Sequence, residues 1–145
     1  MDDEYIALLS EGEKIIFLQA FCVLIKADGN IDSEEITFLK SIAKRYGIGN
    51  DTIVQIIKNT NSINYKEEVK KIVNRSHALE LLKELCLLAN IDDILHEKEL
   101  DIIINISRAM NIEDEKLILI NRFVLDSIIL SKTGYIILEK NNGYY

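Results

Sequence analysis

The chain has 145 residues, a formal net charge of −7, two cysteines and no proline. That length suffices for one domain with its own core, and an aliphatic-rich composition with few aromatics and six glycines favours helices over a sandwich of short strands. The acidic balance argues against a nucleic-acid binder and suits a cationic ligand or a basic partner.

The first four residues, Met1-Asp2-Asp3-Glu4, are acidic and do not read as a signal peptide. Residues 3 to 9 form a short candidate helix. Ser10, with Glu13 three residues on, is a capping box for a second helix over about 11–27. That helix is apolar around almost its whole circumference, so it should be central. Its apolar run, Ile15 to Ala27, is broken by Gln19 and Lys26 and is too short to span a bilayer.

The stretch Lys26-Ala27-Asp28-Gly29-Asn30-Ile31-Asp32-Ser33-Glu34-Glu35 carries the chemistry. Asp-Gly is a turn signal, because glycine takes a positive φ without a β-carbon clash. Ile31 can tuck back between the flanking helices, while Asp32 and Glu35 form a second capping box. Asp32, Glu34 and Glu35 also suit the positive end of the next helix dipole. Residues 28 to 35 fit the second half of an EF-hand loop, with Asp28, the Asn30 carbonyl, Asp32 and Glu35 at ligand positions. The first two ligand positions fall on Leu24 and Lys26, which cannot bind a hard cation. An ordinary EF-hand is therefore excluded. Half a loop acting alone would bind calcium weakly, at a dissociation constant on the order of 10⁻⁴ to 10⁻³ M. The plainer alternative is that these acids only cap a helix and solvate a turn.

A third helix runs over 33–46, with Ile36, Leu39, Ile42, Ala43 and Tyr46 inward, and Gly47 stops it as a left-handed residue. A fourth covers 51–58, followed by a loop over 59–62. A fifth is expected over 66–74, with Val69, Ile72 and Val73 on one side. Ser76 can cap a sixth, running to about Asn90 and rich in leucine. A seventh covers 97–110 and an eighth 113–131, with Gly134 ending the pattern. The apolar stretch Tyr135-Ile136-Ile137-Leu138 and the polar tail after it either pack back as a final strand or helical turn, or form a partner or homodimer surface. Cys22 and Cys86 sit in apolar stretches and read as buried free thiols.

Sliding the chain by 64 residues overlays 21–51 on 85–115 without a gap. Cys22 meets Cys86, Leu24 meets Leu88, Asp28 meets Asp92, Glu35 meets Glu99, and the apolar register is kept. The expected fold is all-α, a compact bundle of about seven to eight helices in a single domain over 1–145. It should contain two helix–acidic-turn–helix units. The second is degenerate: Asp93 stands for Gly29, Ile94 for Asn30 and His96 for Asp32. Packed as a pseudo-symmetric pair, the units could bring Asp28 and Glu35 near Asp92 and Glu99.

A central apolar helix, then Lys-Ala-Asp-Gly-x-Ile-x-x-x-Glu, then an amphipathic helix ending in Tyr-Gly-Ile, resembles the TerB-like family. That family includes bacterial tellurite-resistance proteins and the N-terminal region of some membrane-anchored DnaJ-like cochaperones. The resemblance covers about residues 10 to 125. It implies a compact helical domain, a role in tellurite resistance or stress response, divalent-metal binding through acidic residues, and protein partners in a membrane-linked complex. By motif match it marks Asp28, Asp32, Glu35, Asp92 and Glu99 as metal-site candidates. Asn30, Glu34, Asp93 and His96 are auxiliary. No J-domain is present, because the chain has no proline and hence no His-Pro-Asp.

His77 and His96 do not form a zinc set with Cys22 and Cys86, since no pair has zinc-finger spacing. There is no phosphate-binding glycine loop and no nucleophile visibly paired with an activating histidine, so a non-enzymatic role is expected. Two function classes remain. One is a cytoplasmic binding domain that holds a divalent cation at the acidic turns. The other is a metal-independent interaction module whose acidic face recruits a basic partner.

Overall fold

The second helix organises the packing because it has no polar face to turn to solvent. In the computed structural model, which describes residues 2–91 and 96–140 apart from the Asp28 side chain, it is α2, Glu11–Ile25, after the short α1, Asp3–Leu8. Phe17, Leu18, Cys22 and Leu24 are almost completely buried. Around α2 pack α3 (Ser33–Arg45), α4 (Asn50–Lys58), α5 (Tyr65–Val69), α6 (Arg75–Asn90) and α7 (Glu97–Ala109). The last helix, α8 (Asp114–Ile137), lies against α6 and α7. Every element among the described residues is helical, and one continuous apolar cluster joins α1 through α8. Phe17 meets Phe21 edge-on, and Phe21 meets Tyr46 edge-on, tying α2 to the end of α3.

Local sequence explains most boundaries. Both expected capping boxes form: Ser10 with Glu13 opens α2, and Asp32 with Glu35 opens α3. Gly47 sits at φ 74°, and the Ile48 N–H donates to the Ala43 carbonyl at 2.8 Å, a Schellman end. The end of α7 repeats this geometry: Asn111 sits at φ 58°, and the Ile112 N–H donates to the Ser107 carbonyl at 3.0 Å.

Five expectations need correction. Helix α2 stops at Ile25, and Lys26–Asp28 form a 3-10 turn instead of continuing it. The α5 helix ends at Val69, far short of residue 74, and Asn74 rather than Ser76 caps α6. An N-cap needs extended backbone, so a helix cannot run through Asn74. Ile72 stays buried while Val73, expected inward, is 92% exposed. Finally, Gly134 does not end α8. A β-carbon there would meet nothing within 4 Å, and one glycine costs only about 1 kcal/mol relative to alanine inside a helix. The helix instead closes after Ile137, where Glu139 takes φ 55°. Tyr135–Ile137 is thus its last turn. Tyr135 is half-buried in it, Ile136, Ile137 and Leu138 are well exposed, and the polar tail over 141–145 lies outside the described residues.

Candidate functional site

The 3-10 turn delivers the chain into Gly29, which adopts φ 145° and ψ −130°. Only glycine occupies that region comfortably. The turn aims the next residues back across α2, with Ile31 half-buried and Asp32 at the start of α3. Asp32 Oδ1 accepts the Glu35 N–H at 2.8 Å, and Glu35 Oε1 accepts the Asp32 N–H at 3.0 Å. Each carboxylate so commits one oxygen to the cap. The second oxygen of each takes no hydrogen bond among the described residues. Capping and cation binding are therefore chemically compatible at these two residues.

A cleft of about 410 Å³ opens beside this turn. Its floor is Leu24 and Ile25 of α2; Asp32, Glu34, Glu35 and Phe38 line one wall, and Leu88, Ile91, His96 and Glu99 the other. Both walls carry acid. His96 is the N-cap residue of α7, but its side chain makes no capping hydrogen bond. Five of the expected site residues, Asp32, Glu34, Glu35, His96 and Glu99, thus border one cavity. Asn30 lies exposed on the turn and does not line it. The Asp28 side chain, Asp92 and Asp93 fall outside the described residues. Among the described residues no three His, Cys, Asp or Glu side chains converge as a ready-made metal group. The oxygen-rich rim is the donor chemistry a hard divalent cation takes.

Two features bear on the alternatives raised by the sequence. Cys22 and Cys86 are free and buried, and burial pushes both thiols up to about 12, with a Thr60 hydrogen bond opposing the rise at Cys22. Such thiols are inert toward metals and oxidants at neutral pH. His77 instead serves structure: its Nδ1 lies 2.7 Å from Glu13 Oε2, between α2 and α6. Reading composition and spacing alone misses this pair. The signal that finds it is the 64-residue offset, which separates residues 13 and 77.

These observations define an all-helical domain with an acid-rimmed cleft at the mouth of a glycine turn. Residues 16–122 match the family described as tellurite resistance protein TerB, and the chain belongs to that family. It matches no curated protein and no solved structure. No helix among the described residues is long and apolar enough to cross a membrane.

Proposed function

We propose that the chain is a cytoplasmic TerB-type binding domain, serving tellurite resistance or another stress response, that holds a divalent cation between its two acidic turns. The observation that carries this reading is the single cleft bordered by Asp32 and Glu35 on one side and by His96 and Glu99 on the other. Asp28, Asp32 and Glu35, with Asp92 and Glu99, are the proposed ligands. The Asn30 carbonyl, Glu34, Asp93 and His96 are auxiliary. Alone, the first turn supplies half a calcium loop; carboxylates from the second would complete the coordination that Leu24 and Lys26 cannot. The role is binding rather than catalysis, with all 145 residues acting as one domain. Its partners are proteins, in a membrane-linked stress complex.

A second reading follows from the capping bonds of Asp32 and Glu35. If these acids serve the helix start alone, the same face is a metal-independent acidic surface that recruits a basic protein. Calorimetric titration with calcium, magnesium and zinc separates the two. Metal-free protein is titrated beside an Asp28→Asn/Glu35→Gln variant, in which glutamine can still complete the capping box. Saturable binding that disappears in the folded variant is the expected result. No heat up to millimolar cation would overturn the cation reading and leave the acidic face to protein partners.

A further inference from the structure

Helix α8 is apolar nearly all the way round, a pattern that belongs to helices covered on every side. Among the described residues only one stripe of it is buried: Leu117 and Val124, with Ile120 and Ile128 packed against the core. At 100° per residue the outer face carries two more apolar rows. One contains Ile118, Ile129 and Ile136; the other contains Leu119, Phe123 and Leu130. All six are more than half exposed. Between the rows lie Arg122 and Asp126, four residues apart, and neither pairs with another charge among the described residues.

We propose that this face binds a second copy of the chain, with the two α8 helices antiparallel across a two-fold axis that lies on their outer side at the level of Val124. Self-pairing across a two-fold axis requires a patch that complements itself. This one does. When a reversed copy is centred on Val124, Arg122 lies level with Asp126 of the second copy, and Asp126 with its Arg122. The apolar rows then meet their own counterparts: Ile118 beside Ile129 of the second copy, Leu119 beside its Leu130, Phe123 across from its Phe123. The bodies sit on opposite sides of the helix pair, because each α8 packs inward on the stripe facing away from the contact.

Area supports the same occupant. With Leu125 and Ile137 flanking them, the two rows present eight exposed large apolar side chains along α8, a contact length in keeping with the roughly 800 Å² that each partner buries in a stable interface. A lipid surface would cover the two rows, but its anionic headgroups would supply an opposite charge to Arg122 alone and would repel Asp126. A second copy supplies both. The pairing extends past the family-matched region, which ends at residue 122, and does not depend on any cation at the acidic turns.

Sedimentation equilibrium of the full chain at about 1 to 100 µM tests the proposal, a range that brackets a micromolar dimer. The expected species has twice the 16.6 kDa chain mass. Arg122→Asp places like charges against each other and should weaken dimerisation at least about tenfold. Asp126→Arg should do the same, and the double exchange Arg122→Asp/Asp126→Arg should restore the dimer. All three changes are at exposed positions, and circular dichroism verifies that the helices persist. A monomer throughout the range would overturn the proposal, as would a dimer indifferent to the single reversals or one not rescued by the exchange. A monomer that floats with phosphatidylglycerol vesicles would overturn it in favour of a lipid surface.

Discussion

Gly29 holds a backbone conformation that a β-carbon closes off, at the point where the chain turns from the central helix into the acidic cleft. Space is not the reason, since a β-carbon there would meet nothing within 4 Å. The penalty of Gly29→Ala is therefore conformational, about 1–3 kcal/mol. Gly134 is the matched control: its β-carbon would also be unopposed, but it sits inside α8, where alanine is the better helix former. Urea unfolding should show Gly29→Ala clearly destabilised and Gly134→Ala unchanged or up to about 1 kcal/mol more stable than the parent chain. This much of the site was legible, because Asp-Gly followed by Asp-x-x-Glu specifies backbone and cap through local chemistry. The cleft was open to inference only through the 64-residue repeat, since its far wall comes from α6 and α7 and no local pattern states the distance between two turns.

Between elements, the contact of α2 with α6 is closed by Glu13 and His77. Burial works to raise the Glu13 pKa, but hydrogen bonds from the Ser10 N–H and from His77, with the charge of His77, outweigh it and leave the carboxyl below its ordinary 4.5. A carboxylate held low in the native state binds fewer protons than it does unfolded. Its contribution to stability is present above pH 4.5 and is lost as pH falls through the native value. Glu13→Gln should therefore cost on the order of 1 kcal/mol at pH 7, and the gap to the parent chain should close as urea midpoints are followed from pH 6 down to about pH 3. A gap independent of pH would mean that packing, not charge, holds this contact. The surrounding helices were readable from apolar periodicity: α3 buries Leu39, Ala43 and Tyr46 as its spacing predicts. The ends were less so. Asn74 and Ser76 are both competent caps; Asn74 takes the cap, and the Ser76 hydroxyl instead meets the Tyr5 hydroxyl of α1. Gly134 reads as a stop, yet a helix as long as α8 absorbs its cost. Among the described residues, α2, α3 and α4 start at residues 11, 33 and 50, and α6, α7 and α8 at 75, 97 and 114, the same 64-residue offset that separates Glu13 from His77.

At the scale of the molecule, the acidic end should couple cation binding to folding. A cation held in the cleft would bridge the start of α3 to the start of α7, and the cleft exists only when those helices are folded against α2 and α6. Only the native state then binds, and stability rises with free cation. Even at the half-loop dissociation constant of about 10⁻⁴ to 10⁻³ M, about 10 mM calcium adds roughly 1.4–2.7 kcal/mol. For a chain of this length that raises the melting temperature by several degrees. Net charge supplies a competing cause: at −7, any salt relieves self-repulsion and raises stability somewhat. The comparison must therefore be made against sodium chloride of equal ionic strength, with the Asp28→Asn/Glu35→Gln variant alongside. A calcium-specific rise that the variant lacks assigns the effect to the cleft. An equal rise in both salts would reduce the acidic turns to screened surface charge, and the cleft would then have to find its function in a basic protein partner.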